Sequence, residues 1–356
     1  MVRRRFGADC KGVITMPSEI LTDITELASH LLQRRGIDLI TKVEPVAGGR
    51  NNRAYRVTGP ACSWLLKQYF RDSQGLRDRC ASEWEWSHFC WQRGVTWGPE
   101  PLAHDEKNHA ALFEFIEGRR LQKDEVADNH VEQAAQFVAE VNLHRNHPSA
   151  TNLSDAAEAC FSLKEHIACV DRRVDRLCSL SMTDETDTQL QDWLRSSLLP
   201  AWEVIVETLR SSVDPEQYEN LILPSDRCLS PSDFGFHNAL ITPTGRLRFF
   251  DFEYAGWDDP AKLICDFFWQ QDLPAPRHSM NHLVEVLSLP HSKFELERRV
   301  KLLFPVYAVK WCCLLLNEFV REDRLRREFS QSSPISDTRR TQQLERAKHL
   351  LRTVQN

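Results

Sequence analysis

What this 356-residue sequence lacks narrows it before any motif is read. No two cysteines stand in C-x-x-C spacing, although there are eleven of them. They are scattered, odd in number and include the adjacent pair Cys312 and Cys313 inside "KWCCLLLNEF". That pattern argues against a disulfide framework or a zinc site and for reduced thiols in a cytoplasmic compartment. An excess of positive charge is missing too. The formal net charge is −6, which excludes holding nucleic acid by general electrostatics. No apolar stretch follows the basic start "MVRRRFGADCKG", as a secretory signal would require. The longest apolar run, Leu302 to Leu316, is interrupted by Pro305 and Lys310 and is read as too short for a bilayer. Internal repeats and low-complexity tracts are absent as well.

What is present is the profile of a globular chain of about two domains, with 42% hydrophobic residues, enough for real cores. Residues 17–34 carry Ile20, Ile24, Leu27 and Leu31 at helical spacing, with Ser18 as N-cap and Gly36 as stop. "AYRV" and "SWLLKQYF" read as a hairpin from Ala54 to Phe70. A helix ending at Gly94 follows, with Leu76, Cys80, Trp84, His88 and Trp91 on one face. Two more strands fill "GPEPLAHDEKNHAALFEFIEG". From Glu125 onward helices dominate, over 129–145, 154–180, 187–213, 260–270, 278–288 and 293–328. A strand pair near 239–252 interrupts them. "SQSSPISD" reads as a linker and 337–353 as a last helix. The expected class is α+β, with a small antiparallel-sheet lobe and a larger helical lobe. The expected units are an N-terminal extension and helix (1–36), an N-lobe (37–117), a helical C-lobe (118–330), and a linker with a C-terminal helix (331–356). A small-molecule site belongs in the cleft between lobes.

Three residues in the helical half suggest a chemistry. "LSPSDFGFHNALI" places Asp233 five residues ahead of Asn238, and Asp251 follows in "RLRFFDFEYAG". A kinase catalytic loop uses a carboxylate to orient a hydroxyl and take its proton, then an amide oxygen for magnesium five residues later. Asp251, after a short hairpin, stands where a second magnesium ligand is wanted. Lys67, in a strand, can serve the α- and β-phosphates. Glu83 in the next helix is its expected partner, with Glu85 about 200° round the helix. Gly48 and Gly49 precede a strand, where backbone can close over phosphates. No motif alone is specific, since D-x-x-x-x-N occurs often by chance.

Taken in order, these residues resemble the aminoglycoside phosphotransferase / choline kinase family, which has a protein-kinase-like fold. Gly48, Gly49, Asn52, Tyr55 and Val57 match its first strand pair, and "EFIEG" from Glu114 to Gly118 its hinge. Leu143 and His144 match a helix motif, and Asp251, Phe252, Glu253 and Ala255 its metal strand. The resemblance implies transfer of the γ-phosphoryl group of ATP, with Mg²⁺, to a hydroxyl of a small molecule. Asp233 would be catalytic and Asn238 and Asp251 would hold metal. Gly48, Gly49, Asn52, Lys67, Glu83, Glu114 and Ile116 would bind nucleotide. The partner is a small-molecule hydroxyl compound, with no nucleic acid and no membrane insertion. Two departures stand out. Pro231-Ser232 replaces His-Gly before the catalytic aspartate, and Leu263 replaces the second aspartate of "DP-x-x-D", leaving Asp266 as the alternative brace.

Rival readings follow from the same residues. Pro231-Ser232 motivates a catalytically idle nucleotide binder. A protein kinase is disfavoured because no activation segment ending in A-P-E follows Asp251. His237 reads as a packing or loop residue, His144 and His147 as a helix end, and Glu253 as a loop brace. Trp84, Trp86 and Trp91 read as packing, and the basic tail with Arg339, Arg340, Arg346 and Lys348 as a solvated amphipathic helix. Aminoglycosides would want an acidic surface, for which Asp184, Glu185 and Asp187 are the visible cluster.

Overall fold

A computed structural model describes residues 23–38, 40–46, 52–70, 77–288, 293–320 and 337–355. Strands β1 (Lys42–Pro45), β2 (Asn52–Thr58), β3 (Ser63–Tyr69), β4 (Pro101–Asp105) and β5 (Ala110–Glu114) form one antiparallel sheet in the order β1-β2-β3-β5-β4. β1 goes unseen in the sequence because "KVEP" is too short to show alternation. Period 2 sends Trp64 and Leu66 of β3 to one face and Leu65, Lys67 and Tyr69 to the other.

The first face is covered by helix α1 (Ile24–Gln33), whose Leu27, Ala28, Leu31 and Leu32 pack with Val57, Trp64 and Leu66. Asp23 caps α1, accepting from the amides of Thr25 at 2.6 Å and Glu26 at 3.3 Å. Ser18, expected as the cap, lies outside the described residues. Helix α2 (Arg79–Gln92) approaches the second face, where Tyr69, Cys80, Ala111 and Phe113 cluster. Of the expected face it buries Cys80 but not Trp84, His88 or Trp91, burying Glu83, Trp86, Ser87, Phe89 and Cys90 instead, and Leu76 lies outside the described residues. Hydrophobic periodicity alone misorients α2 because its buried face includes a carboxylate. Trp84 instead stacks on His104, with ring centroids 4.3 Å apart.

The second lobe holds α3 (Asp128–Leu143), α4 (Leu163–Cys178), α5 (Glu185–Trp193), α6 (Leu199–Ser211), α7 (Pro215–Glu219), α8 (Pro260–Trp269), α9 (Met280–Leu287), α10 (Lys293–Leu315) and α11 (Asp337–Gln355). The helix expected over 154–180 begins only at Leu163, capped by Ser162 in a reciprocal arrangement with Glu165. Between α7 and α8 lie four three-residue strands: β6 (Cys228–Ser230), β7 (Ala239–Ile241), β8 (Leu247–Phe249) and β9 (Gly256–Asp258). β7 pairs with β8, as the sequence suggests, and β6 with β9, which it does not.

Phe137, Phe234, Phe249, Phe252 and Phe267 form a buried aromatic knot, with Phe137 stacked on Phe249 at 5.1 Å and Phe234 against Phe267 at 5.0 Å. Phe234 and Phe252 directly follow Asp233 and Asp251. The knot therefore anchors both loops that carry the acidic residues. α10 and the turn after it, Lys293–Phe319, are long and apolar enough to cross a membrane. Here Leu303, Val306, Ala308, Val309 and Cys312 of α10 are buried in the lobe's core. All ten cysteines among the described residues are free.

At Gly256 two segments meet closely. A Cβ there would lie 2.2 Å from the Ser154 carbonyl oxygen and 2.7 Å from the Ala156 nitrogen. These are backbone atoms that β9 holds through the Trp257 N–H to Ser154 O and Ala156 N–H to Trp257 O bonds. Gly256→Ala is expected to destabilise by about 1–3 kcal/mol, read as a shifted denaturation midpoint. An unchanged midpoint would show that the segments can separate freely.

Candidate active site

The register of β3 decides where Lys67 points. It pairs opposite Ala54 on β2 and Ala111 on β5, so its side chain emerges on the α2 face. A slip of one residue would turn it toward α1. In place, its Nζ donates to Glu83 Oε2 at 2.5 Å and to Asp251 Oδ1 at 2.7 Å. Lys67 and Glu83 are almost completely buried and Asp251 is part-exposed. Burial opposes the lysine's charge, but Asp251 and Glu83 outweigh it and raise its pKa, so the group is an ammonium. Burial raises Glu83, with Lys67 pulling against it. Tyr69 Oη donates to Glu83 Oε2 at 2.7 Å, and the Phe252 amide donates to Glu83 Oε1 at 3.3 Å. Glu85 is exposed.

Asp233, Asn238 and Asp251 come together as the spacing suggests. Asn238 Nδ2 donates to the Asp233 carbonyl at 2.9 Å and its carboxylate at 3.3 Å, which leaves the amide oxygen to face other partners. The Phe250 amide donates to the Asn238 carbonyl at 3.0 Å, tying the residue before Asp251 to Asn238. Asp251 itself sits at φ 71°, a left-handed conformation costly for a non-glycine residue. The carboxylate of Asp251 and the amide oxygen of Asn238 are the donors a hard divalent cation takes. Among the described residues no cluster of three His, Cys, Asp or Glu gathers as an all-protein metal cage would. That set fits a cation shared with phosphate oxygens.

Lys67, Glu83, Asp233, Asn238 and Asp251 all line one cleft of about 1070 Å³ between the lobes. Its hinge end has apolar walls, Val46, Ala54 and Leu65 on one side and Leu240 and Phe250 on the other, a slot suited to a planar ring. Glu114 and Ile116 line this end. The Glu114 carboxylate, however, accepts from Arg248 Nη2 at 2.7 Å and from the Glu100 amide at 3.1 Å, so its side chain is occupied elsewhere. Asn52 also lines the cleft, but its Nδ2 donates to Glu253 Oε2 at 2.8 Å. Glu253 is fully buried, its pKa raised by burial and then by Asp251, and it braces the loop as expected. Gly48 and Gly49 lie outside the described residues.

The departures from the family pattern have structural answers. Ser232, in the glycine's place, adopts φ 65°. Its amide donates to Ser230 Oγ at 3.0 Å and its carbonyl accepts from Phe234 at 2.7 Å. His237 Nε2 lies 3.2 Å from Asp233 Oδ1, and Arg120 donates to the His237 carbonyl at 2.6 Å. Asp266 does not brace the loop. It receives Lys310 Nζ at 2.8 Å, Lys262 Nζ at 3.5 Å and Trp311 Nε1 at 3.1 Å. Asp259 caps α8 through the Ala261 amide at 2.7 Å and takes His166 at 3.0 Å and Arg299 at 2.6 Å, tying α8 to α4 and α10.

Two positioning residues escape the sequence. Asn142 both accepts from the Leu229 amide at 2.9 Å and donates to its carbonyl at 3.0 Å, steadying the strand that leads into Asp233. Its neighbour Leu143, the family-like residue, is exposed. Arg77 donates to the carbonyls of Glu253 at 3.1 Å, Asp155 at 2.6 Å and Ala255 at 2.6 Å, clamping the loop after Asp251 from the N-lobe side. Backbone acceptors leave no sequence signal for either. The acidic cluster is also resolved. Asp184 and Asp187 hold the buried Arg340 at 2.5 Å and 2.8 Å, and neither lines the cleft. α11 is therefore docked, not merely solvated, with Leu344, Ala347, Leu350 and Leu351 buried.

Comparison with known proteins bears on the family and the fold. The sequence profile of the phosphotransferase enzyme family matches residues 42–277, well over half of the chain. The chain has no match among curated protein sequences. Among solved structures it is similar to spectinomycin phosphotransferase APH(9)-Ia in complex with ADP and spectinomycin. The TM-score is 0.60 at 12% identity, over 93% of this chain and 98% of that one. It is also similar to an ethanolamine kinase from Plasmodium vivax, with TM-score 0.57 and 14% identity over 91% and 87% of the two chains. A choline kinase from Streptococcus pneumoniae gives 0.53 and 14% over 93% and 98%. Identities this low carry the fold and not the substrate. The matched profile and the two-lobed, protein-kinase-like architecture together show that the chain belongs to the phosphotransferase enzyme family.

Proposed function

We propose that the protein is an ATP- and Mg²⁺-dependent kinase that passes the γ-phosphoryl group to a hydroxyl of a small molecule. One observation carries the reading: the Lys67–Glu83–Asp251 ion cluster and the Asp233–Asn238 pair line the same interlobe cleft. In this reading the Lys67 ammonium, fixed by Glu83, meets the α- and β-phosphates. The backbone at Glu114 and Ile116 meets the base in the apolar slot. Gly48 and Gly49 close over the phosphates. Asn238 and Asp251 would hold Mg²⁺, which would supply positive charge to offset that of the phosphates. Asp233 orients the acceptor hydroxyl and takes its proton. The protein's contribution is positioning and electrostatics.

The experiment is a metabolite-library screen read by Mg²⁺-dependent ADP release, with Asp233→Ala as the blank. Asp233→Ala is expected to lower turnover by about 10²–10⁴. Near-normal turnover would remove Asp233 from the role. A thermal-shift response to Mg·ATP without ADP from any compound would favour the idle nucleotide binder. Asp251→Ala is expected to abolish Mg²⁺-dependent nucleotide binding in calorimetry, and unchanged affinity would contradict its place at the metal. Ser232→Gly is expected to stabilise the fold by about 0.5–1 kcal/mol, because glycine meets φ 65° without a Cβ penalty, while keeping activity. A lower melting temperature in that variant would mean the serine side chain itself supports the loop.

A further inference from the structure

Beyond Asp233 the cleft continues along α4, α8, α10, α11 and the segments joining them. Among the described residues, this part of the lining carries seven basic side chains and four carboxylates, in a chain whose net charge is −6. Every one of the four carboxylates already holds a cation. Glu158 takes Arg173 at 2.5 Å, Asp272 takes Arg346 at 2.9 Å, and Glu318 takes Arg339 at 2.7 Å. Asp266 takes Lys310 at 2.8 Å, while Lys262 is held mainly by Asp258 behind it, at 2.6 Å. No acidic wall is left over for a polycation, and the Asp184 and Asp187 carboxylates lie elsewhere, around Arg340.

The basic side chains, in contrast, outnumber the carboxylates. Lys310 is a nearly buried ammonium on the cleft wall. Arg173 keeps a buried Nε without a hydrogen-bond partner. Arg172, exposed on α4, lies one helical turn from Arg176, so both guanidinium groups project from the same side of the helix into the lining. Guanidinium forks match carboxylate and phosphate geometry, and a cleft of one sign concentrates ligands of the other.

We propose that the phosphate acceptor is an anionic hydroxyl compound, its carboxylate or phosphate group held by the α4 arginines and Lys310 while its hydroxyl reaches Asp233. The proposal rests on the phosphoryl-transfer reading. The acceptor oxygen forms the new bond to the γ-phosphorus. The bond from that phosphorus to the β,γ-bridging oxygen breaks, ADP leaves, and the hydroxyl proton passes to Asp233.

The test is calorimetry on the full chain with Mg·AMP-PNP filling the nucleotide site. D-glycerate and glycerol 3-phosphate serve as the carboxylate and phosphate probes, glycerol as the neutral one, and choline and spectinomycin as cationic ones. At least one anionic probe is expected to bind while the others do not, and the arm that binds identifies the anionic group. Arg172→Glu is expected to weaken that binding about tenfold. Arg298→Glu, whose guanidinium meets Gln217 outside the cleft, is expected to leave it unchanged. The proposal is overturned if neither anion binds, if a cation binds in preference, or if Arg172→Glu has no effect. ADP release, followed separately, tells the two ideas apart. Anion binding with no acceptor phosphorylated removes the transfer reading and leaves the anion site. Phosphorylation of a cationic acceptor does the reverse.

Discussion

The molecule is organised around one buried ammonium. Lys67 reaches Glu83 from one side and Asp251 from the other, and each of the three comes from a different element: β3, α2 and the loop after β8. Burying a charge costs several kcal/mol unless partners satisfy it. This one is satisfied only if the β3 register, the rotation of α2 and the left-handed turn at Asp251 are all correct together. The amide of Phe252 on Glu83 and the Arg77 clamp then carry the same constraint across the lobe boundary. Loss of Lys67 would leave the buried Glu83 without its cation, whereas loss of either carboxylate leaves Lys67 the other, so the cluster specifies the geometry of the cleft as much as it stabilises it.

The charge around that ammonium is unbalanced in a useful direction. Glu83, Asp251 and Glu253 converge near a single lysine, and burial together with the Asp251 charge pushes both glutamates up. A region with surplus carboxylate favours a divalent cation and would repel bare phosphates. The far part of the cleft has the opposite surplus, built from α4, α8, α10 and α11. One cavity thus presents two poles, and Asp233 lines the same cavity. In-line transfer needs donor and acceptor to approach along one axis, and a field that changes sign along the cleft can hold a metal-bound nucleotide at one end and an anion at the other.

Much of this arrangement was legible in the sequence, and what was not shares a cause. Lys67 with Glu83, and Asp233 with Asn238, are read correctly because strand alternation and short loop spacings are local properties. The α2 face was misread because a buried Glu83 breaks the apolar stripe that periodicity looks for. β1, β6 and β9 are three or four residues long, below the length at which alternation means anything. Asn142 and Arg77 bind backbone atoms, whose identity no sequence encodes. Asp266 looked like a brace because it lies one helical turn from the expected position. Its actual partners, Lys262 and Lys310, come one turn away on α8 and from α10.

The same division explains why the reaction can be read earlier than the substrate. The groups proposed to handle phosphate lie in a few short segments, and the loops that carry Asp233 and Asp251 are anchored by the hairpin β7–β8 and the aromatic knot beneath it. The basic wall proposed for the acceptor is assembled from residues between Glu158 and Arg346, and α10 and α11 fall beyond residue 277, where the family profile ends. Side chains gathered over that distance are free to vary without disturbing the phosphate site, because each ion pair in the wall is closed locally. Exchanging such pairs alters the sign of the acceptor pole while Lys67, Glu83 and Asp251 keep their contacts. In the proposed reading, the axis of transfer and the choice of acceptor are thus set by separate parts of one cleft.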